Sequence, residues 1–457
     1  MVPSAQAGLI PSFVAAIQAS LSVLLVISYG ALAAYLKLLD PSSSKSISKI
    51  CVRMFLPALL LTQIGSELHS GSAHRYLIVL AWAIICHVVS FLIGIAAHYW
   101  LGMPDWITAA IMFNNTTSYP LLLIQSLDQT GILGSLIVVE GESTRAAIER
   151  AKSYFLVFAT VSSCLTFAVG PRLIDSEHGP DLPSDKEEME DDENGERDEE
   201  NGDADDELSP TDEGTGLLFA RQRQASVASM SFFPSRRQSI APAIAYDRRP
   251  SVIARKKWVK LGDRTKWWLL FLFDFLNAPL LGAVLGAVIG LIPALHKAFF
   301  NDTEDGGIFT AWLTQSFKTV GSLFVPLPVV VAGVSLYTST QKIKSEGSRA
   351  PTTPWLTTLF VLAVRFVIWS VISIGVVYLL AKRTDTLGDD PMLWFTMMLM
   401  PTGPPAMKLI TMVEVSNADE EDEDKIVKLL TISYIISPVL AFTVVGSLRA
   451  SVAAIGN

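Results

Sequence analysis

The chain has 457 residues, of which 50% are hydrophobic and only 17% are charged. In soluble proteins about a quarter of the residues are charged, so this composition argues against a soluble fold. The net charge of −9 arises in residues 175–213, which contain twenty acidic residues and only two basic ones, Lys186 and Arg197. The rest of the chain is therefore near +9, and the acidity gives no reason to expect nucleic acid as a partner.

Apolar runs of about 20 residues are long enough to cross the hydrocarbon layer of a bilayer, which is about 30 Å thick. The first run is too long for a signal-peptide core and no Lys or Arg precedes it, which predicts a retained span. We predict an all-α integral membrane protein with ten transmembrane helices, near residues 13–36, 50–67, 76–100, 104–126, 153–174, 267–293, 308–337, 355–381, 391–413 and 426–448.

The predicted spans divide the chain into a first membrane repeat (1–174), a linker (175–266) and a second membrane repeat (267–457). The linker is acidic, then rich in Ser, Pro and Arg, and it has too few apolar residues for a core, which predicts disorder. Lys and Arg concentrate in the linker and in the first and seventh connections. This distribution places the linker in the cytosol and both termini outside or in the lumen.

This orientation gives two kinds of modification candidate. Asn301 lies in an Asn-Asp-Thr sequon in a connection predicted to face the lumen, so it is a candidate for glycosylation. Three linker serines follow arginines in patterns typical of basic-directed kinase sites, which predicts cytosolic protein kinases as partners: Ser226, Ser239 and Ser251.

The two halves carry related features at matching positions. Residues 55–60 in span two resemble residues 324–328 in span seven, since each contains a Phe followed by an apolar residue and Pro. Span four is interrupted at residues 114–120 and span nine at residues 401–405. With five spans per half the second half must enter from the opposite side, which predicts a 5+5 inverted repeat.

Matching interruptions in two inverted halves indicate the binding site of a transporter, because freed backbone must face protein or a watery cavity. A proline suits the first turn of a restarting helix, whose free N–H groups suit a carboxylate. An alternative is that the breaks are simple kinks whose polar side chains only satisfy the backbone. The predicted substrate-binding residues are Asn114, Asn115, Thr116, Thr117, Pro120, Pro401, Thr402, Gly403, Pro404, Pro405 and Lys408.

Three ionisable residues within spans are candidates for handling charge, because charges at membrane depth are costly and commonly functional. Lys408 follows the second break by about one helical turn and could meet an anion, or it could reach the interface instead. His87 and Arg365 occupy equivalent positions in the two repeats. His87 could carry a proton or only pack helices, and Arg365 could hold a carbonyl or a counter-anion. Asp274 and Glu67 are weaker candidates.

No constellation typical of an enzyme occurs in the sequence, since the common zinc-protease, hydrolase and nucleotide-binding motifs are missing. We therefore predict no catalytic residue, no cofactor and no metal site. Cys51, Cys86 and Cys164 lie in apolar surroundings, which predicts buried thiols rather than a disulfide framework.

Several motifs resemble the auxin efflux carrier family, including its PIN-LIKES branch. They are residues 23–30, 38–40 and 47–60 in the first half, and residues 277–293 and 403–412 in the second. The acidic linker resembles that of fungal members. The resemblance implies a scaffold domain and a transport domain, broken helices 4 and 9 that cross at the substrate site, and an elevator movement. It further implies export of an auxin-like organic anion, a homodimer and residence in the endoplasmic reticulum, with the plasma membrane as the alternative.

The sequence thus predicts a secondary carrier or uniporter for a small organic anion. One alternative is a sodium-coupled carrier of the bile-acid type, which shares crossed broken helices. The other is a membrane regulator that transports nothing and whose phosphorylated linker recruits partners.

Overall fold

A computed structural model describes residues 9–69, 71–104, 106–138, 142–170, 275–345, 355–409 and 420–455, with a few isolated positions between 173 and 272. The three linker serines Ser226, Ser239 and Ser251, and the weak candidate Asp274, lie outside the described residues. The secondary structure of the described residues is helical, and no strand forms there beyond one isolated bridge between Asn114 and Pro405.

The first half contains helices joined by short connections. In chain order they are α1 (Leu9–Tyr35), α2 (Pro41–Ile50), α3 (Leu56–Glu67), α4 (Ala73–Leu101), α5 (Trp106–Met112), α6 (Ser118–Gln129) and α7 (Thr144–Ala168). A π-helical turn, Cys51–Phe55, joins α2 to α3, so that Pro41–Glu67 forms one long helical run.

The second half follows the linker. Its described helices are α8 (Ala278–Leu291), α9 (Pro293–Phe300), α10 (Gln315–Ser322), α11 (Leu327–Ser345), α12 (Trp355–Leu362), α13 (Trp369–Arg383), α14 (Pro391–Leu399), α15 (Glu420–Ile436) and α16 (Leu440–Ile455).

Six helical runs of the described chain are long and apolar enough to cross a bilayer. They are Leu9–Tyr35, Pro41–Glu67, Ala73–Leu101, Thr310–Gln341, Trp355–Arg383 and Asp424–Ile455. Helices α8 and α9 form a further candidate that bends by 105°. The described part of the chain is thus helical throughout, as expected of an integral membrane protein, while the division into ten spans stays a prediction.

Side-chain caps define where several helices begin. Asp40 accepts a hydrogen bond from Ser43 N at 3.0 Å, and Pro41 occupies the first position of α2. The Ser43 side-chain and backbone bonds hold the pKa of the exposed Asp40 carboxyl below its usual value. Asn277 caps α8 in the same way through Leu280 N at 3.0 Å. Free N–H groups at these helix starts are therefore satisfied by side chains.

Glycines bring two helix pairs into backbone contact. Gly30 of α1 faces the Val330 carbonyl of α11, and Gly333 of α11 faces the Ile27 carbonyl of α1. On α8, a Cβ at Gly282 would lie 2.6 Å from Pro57 Cα of α3. Such small-residue contacts are typical of membrane helices, whose association depends on close packing.

Replacing Gly30 with alanine should lower the free energy of unfolding by about 1–3 kcal/mol, because the new methyl group would overlap the Val330 carbonyl and force α1 and α11 apart. Thermal unfolding in detergent micelles measures this effect. Gly375→Ala is the matched control, since a Cβ there meets no atom within 4 Å. Equal melting temperatures for the two variants would contradict the proposed close contact.

Helices α5 and α14 form the centre of the molecule. Every residue of both helices is buried, including Trp106 and Phe395. A helix that is apolar on all sides is one that other helices surround. The chain breaks that follow these two helices therefore lie inside the protein rather than against lipid.

Candidate functional site

The two chain breaks meet and hydrogen bond to each other. Asn115 N donates to Pro404 O at 3.0 Å, and Ala406 N donates to Phe113 O at 2.9 Å. These bonds flank the antiparallel bridge between Asn114 and Pro405. Backbone freed from the first break is thus satisfied by backbone freed from the second, as burial requires.

The two neighbouring asparagines have different partners. Asn114 Nδ2 donates to Met400 O at 2.9 Å and to Thr402 O at 2.8 Å, so both amide hydrogens bind backbone of the second break. Asn115 Nδ2 instead donates to the Tyr434 hydroxyl at 2.8 Å, while Asn115 Oδ1 accepts from Tyr119 N at 3.4 Å. Asn114 therefore binds the two breaks together, whereas Asn115 directs its amide nitrogen to Tyr434 of α15.

The remaining break residues shape the backbone. Pro120 lies in the first turn of α6, which restarts at Ser118. Thr402 returns its hydroxyl to Leu399 O at 2.7 Å, at the end of α14. Gly403 has a φ of 103°, which a residue with a Cβ rarely adopts. The other predicted residues here, Thr116, Thr117, Pro401, Pro404 and Pro405, are buried or nearly so.

Arg365 contacts the second break and the end of α5, the helix that precedes the first break. Its Nε donates to Gly403 O at 3.1 Å and its Nη1 to Ile111 O at 3.2 Å, and the side chain is 1% exposed. No Asp or Glu of the described residues pairs with it. The structure thus places the guanidinium on structural carbonyls and leaves its positive charge next to the breaks.

His87 lies in the same region, on α4. Its Nδ1 lies 2.7 Å from Ala83 O, so this nitrogen carries the hydrogen, and its ring packs against Phe113 and Phe158. His87 and Arg365, which the predicted repeat pairs, line one small void together with Asn114 and Pro401.

Lys408 is partly buried and turns toward α7, where Nζ lies 3.1 Å from Ser163 Oγ. The next residue, Cys164, donates its thiol to Asn277 Oδ1 at 3.8 Å. Cys164 also lines an apolar cavity of about 470 Å³ between α4, α7 and the start of α8. Other lining residues are Ile84, His87, Val88, Phe91, Met112, Val161, Leu165, Val169, Phe275 and Leu280.

Comparison of the sequence with known proteins identifies its family. Residues 15–444 match the family described as membrane transport protein, which is the auxin efflux carrier family. The chain belongs to the auxin efflux carrier family. It is thus a membrane transporter rather than an enzyme, and the resemblance derived from its motifs is confirmed.

Curated relatives of this auxin efflux carrier family member are fungal and plant proteins. An uncharacterized transporter of Schizosaccharomyces pombe is 23% identical over 427 residues, which cover 90% of each chain. Protein PIN-LIKES 5 of Arabidopsis thaliana is 28% identical over 171 residues, 37% of this chain and 39% of the plant protein. Protein PIN-LIKES 7 is 27% identical over 166 residues, 36% of this chain and 38% of that protein. No solved structure matches.

Sequence reasoning missed Tyr434, and it assigned no role to Tyr119, although Tyr119 lies in the predicted interruption at residues 114–120 of this family member. The hydroxyl of Tyr434 on α15 accepts a hydrogen bond from Asn115 Nδ2 and donates one to Pro405 O at 3.4 Å. Tyr119 of α6 donates to Ser437 O at 3.4 Å, and its ring lies 6.4 Å from that of Tyr434. Tyrosines within apolar spans resemble ordinary core residues, and only their contacts distinguish them.

A charged cluster around Asp390 was also missed. Its Oδ2 accepts from Arg75 Nη1, Arg150 Nε and Tyr154 Oη at 3.0–3.1 Å. Its Oδ1 caps α14 through Met392 N and Leu393 N at 3.1 and 3.3 Å. Arg150 pairs in addition with Glu142. Asp390 therefore joins the starts of α4, α7 and α14, and the Asp-Pro pair at residues 390–391 was the available signal of a cap.

Replacing Asn114 with alanine should lower the free energy of unfolding by about 1–3 kcal/mol for each of the two carbonyls left unpaired. The change would also separate the two breaks. Thermal unfolding in micelles measures it, with Asn115→Ala as the control that leaves both carbonyls bound. A melting temperature for Asn114→Ala at or above that of Asn115→Ala would show that Asn114 does not hold the breaks.

Proposed function

We propose that the protein is a secondary carrier or uniporter that moves a small organic anion across its membrane, with the anion bound where the two breaks meet. The observation that carries this proposal is the mutual pairing of two broken helices inside the protein. Breaks at matching positions of two halves are typical of transporter binding sites.

Charge at the breaks supports an anionic substrate. The guanidinium of Arg365 donates a hydrogen bond to Gly403 O of the second break, and the N-terminus of α6 lies at the first break. Both contribute positive potential at this point. Asn115 adds a directed donor that is not bound to backbone. A carboxylate would accept from that donor more strongly than a neutral group would.

The apolar cavity supports a substrate with a hydrocarbon body. Its volume of about 470 Å³ lies within the range typical of small-molecule sites. Lys408 is held at Ser163, next to Cys164 of the cavity wall. The cavity suits an apolar body and Lys408 adds positive charge to this region, which together fit the auxin-like anion class that the family resemblance implies.

We further propose the architecture and setting that fit this activity. The described helices suit ten spans in a 5+5 inverted repeat, with α5–α6 as the broken fourth span and α14 as the first part of the ninth. An elevator movement of a transport domain against a scaffold would carry the site across the membrane. The proposed location is the endoplasmic reticulum, with the plasma membrane as the alternative, a cytosolic linker, lumenal termini, glycosylation at Asn301 and assembly as a homodimer.

Substrate-dependent stabilisation of the purified full-length protein tests the proposal. Indole-3-acetate and benzoate should raise the melting temperature, while indole-3-acetamide, which lacks the charge, should not. Asn115→Ala should lose the response and keep its fold. Gly375→Ala should respond as the wild type does.

Flux into proteoliposomes then separates the alternatives. Uptake that stops when sodium is replaced by a large organic cation would favour a sodium-coupled carrier. Wild-type protein that neither binds nor moves any anion of the panel would overturn transport. If Asn115→Ala were also silent in cells, a regulatory protein would be the better description.

A further inference from the structure

We propose that the hydroxyl of Tyr434 is a resident substitute for the substrate carboxylate, which occupies the amide of Asn115 until an anion displaces it. The inference rests on the proposed function, because it assigns the binding step to one hydrogen bond. It concerns Tyr434, which lies on α15, outside both chain breaks.

Only one of the two asparagine amides can exchange its hydrogen-bond partner. Both hydrogens of Asn114 Nδ2 bind carbonyls of the second break at 2.8–2.9 Å. Releasing them would leave buried carbonyls unpaired and would open the paired breaks. Among the described residues Asn115 Nδ2 donates to no carbonyl, and its partner is the hydroxyl of a side chain, which can be displaced without opening the paired backbone of the breaks. The N–H of Tyr119 fixes the amide orientation by donating to Asn115 Oδ1.

The hydroxyl of Tyr434 has the chemistry needed to take the place of a carboxylate. A phenol oxygen can accept a hydrogen bond from an amide, as a carboxylate oxygen can, but it carries no charge. Tyr434 is 2% exposed, and in this arrangement it satisfies a donor that would otherwise be unpaired. A carboxylate would replace a neutral bond with a charge-assisted one, which is the stronger of the two.

Displacement of the Tyr434 hydroxyl would also affect the position of α15. The Tyr434 hydroxyl donates to Pro405 O at 3.4 Å, so the side chain links α15 to both breaks at once. Three residues later, α15 ends in a 3-10 turn at Ser437–Val439. Moving the hydroxyl away from Asn115 would therefore loosen α15 from the second break. Occupancy of the site and the position of α15 are coupled through this one side chain.

Tyr434→Phe removes the competing oxygen and keeps the ring. Binding of indole-3-acetate, measured by titration calorimetry on the full-length protein in micelles, should become about 2- to 10-fold tighter, which corresponds to the net contribution of one hydrogen bond. Tyr119→Phe is the matched control, because it removes a neighbouring tyrosine hydroxyl that binds Ser437 O and not the amide. Its affinity should stay that of the wild type.

If Tyr434 had only a structural role, loss of its hydroxyl would weaken anion binding or leave it unchanged. Unchanged or weaker affinity of Tyr434→Phe, with a wild type that binds, would overturn this inference and leave the proposed transport standing. A wild type that binds neither indole-3-acetate nor benzoate would overturn the proposed function, and this inference would fall with it.

A second measurement covers the case in which Tyr434→Phe does not fold. With 3-fluorotyrosine at position 434, indole-3-acetate should shift the fluorine resonance, and indole-3-acetamide should shift it far less. The same label at position 119 should respond weakly to both. A resonance at position 434 that stays fixed under saturating indole-3-acetate would overturn the displacement.

Discussion

Asp390→Asn should lower the free energy of unfolding by about 3 kcal/mol, at the lower end of the range for a broken buried ion pair. Asp390 is 3% exposed, and its carboxylate joins two arginines and Tyr154 to the start of α14. The asparagine keeps an oxygen for the cap but loses the charge that Arg75 and Arg150 face. The side chains of Arg75 and Arg150 are 31% and 19% exposed. Water therefore partly solvates their charges after the carboxylate is lost, which is why we expect a destabilisation at the lower end of the range.

Thermal unfolding in micelles measures this change, and Asp389→Asn provides a closely matched control because Asp389 is the exposed neighbour. A surface carboxylate contributes at most about 1 kcal/mol. Near-equal effects of the two variants would mean that the cluster does not hold α4, α7 and α14 together.

Arg365→Lys should also cost about 3 kcal/mol and should abolish anion binding. The guanidinium reaches carbonyls of both halves, Ile111 O and Gly403 O, through two different nitrogens. An ammonium group is a single point and cannot span the same two carbonyls, so at least one is lost. A hydrogen bond from a charged donor contributes about 1.5–3 kcal/mol, and the lysine charge would remain buried beside the unpaired oxygen.

Unfolding and anion binding are measured together for this variant, with Arg383→Lys as the control at the exposed end of α13. Charge is conserved in both substitutions, so a difference between them reports the geometry of the guanidinium. If Arg365→Lys binds indole-3-acetate as the wild type does, the arginine does not set the geometry of the breaks.

Hydropathy and proline placement predict the helical membrane fold because both depend on local sequence. Apolar runs identify helices whatever their neighbours, and Pro120 with Pro404 marks where helices cannot continue. The predicted interruption at residues 401–405 is non-helical, and the one at residues 114–120 overlaps the non-helical residues 113–117 but extends three residues too far, into the start of α6. The helix count, the inverted repeat and the substrate roles remain predictions.

Partner choice depends on tertiary contacts that local patterns do not encode. Asn114 and Asn115 are adjacent and chemically identical, yet one binds backbone and the other binds a hydroxyl 319 positions away. Likewise, Asp390 has arginine partners 240 and 315 positions away, at the ends of other helices. Which faces of two helices meet is decided by packing of the whole bundle.

The burial of α5 and α14 bears on the order in which the chain assembles during synthesis. Each helix is short, with 7 and 9 residues, and each ends at a break whose hydrogen-bond partner lies in the other half. Phe113 O and Asn115 N receive their partners only after residues 404–406 have left the ribosome. Until then the first half must stay in the membrane with unsatisfied backbone, which water or an insertion chaperone has to shield. The long linker lengthens this interval, so the vulnerable step in producing the protein lies between the synthesis of its two halves.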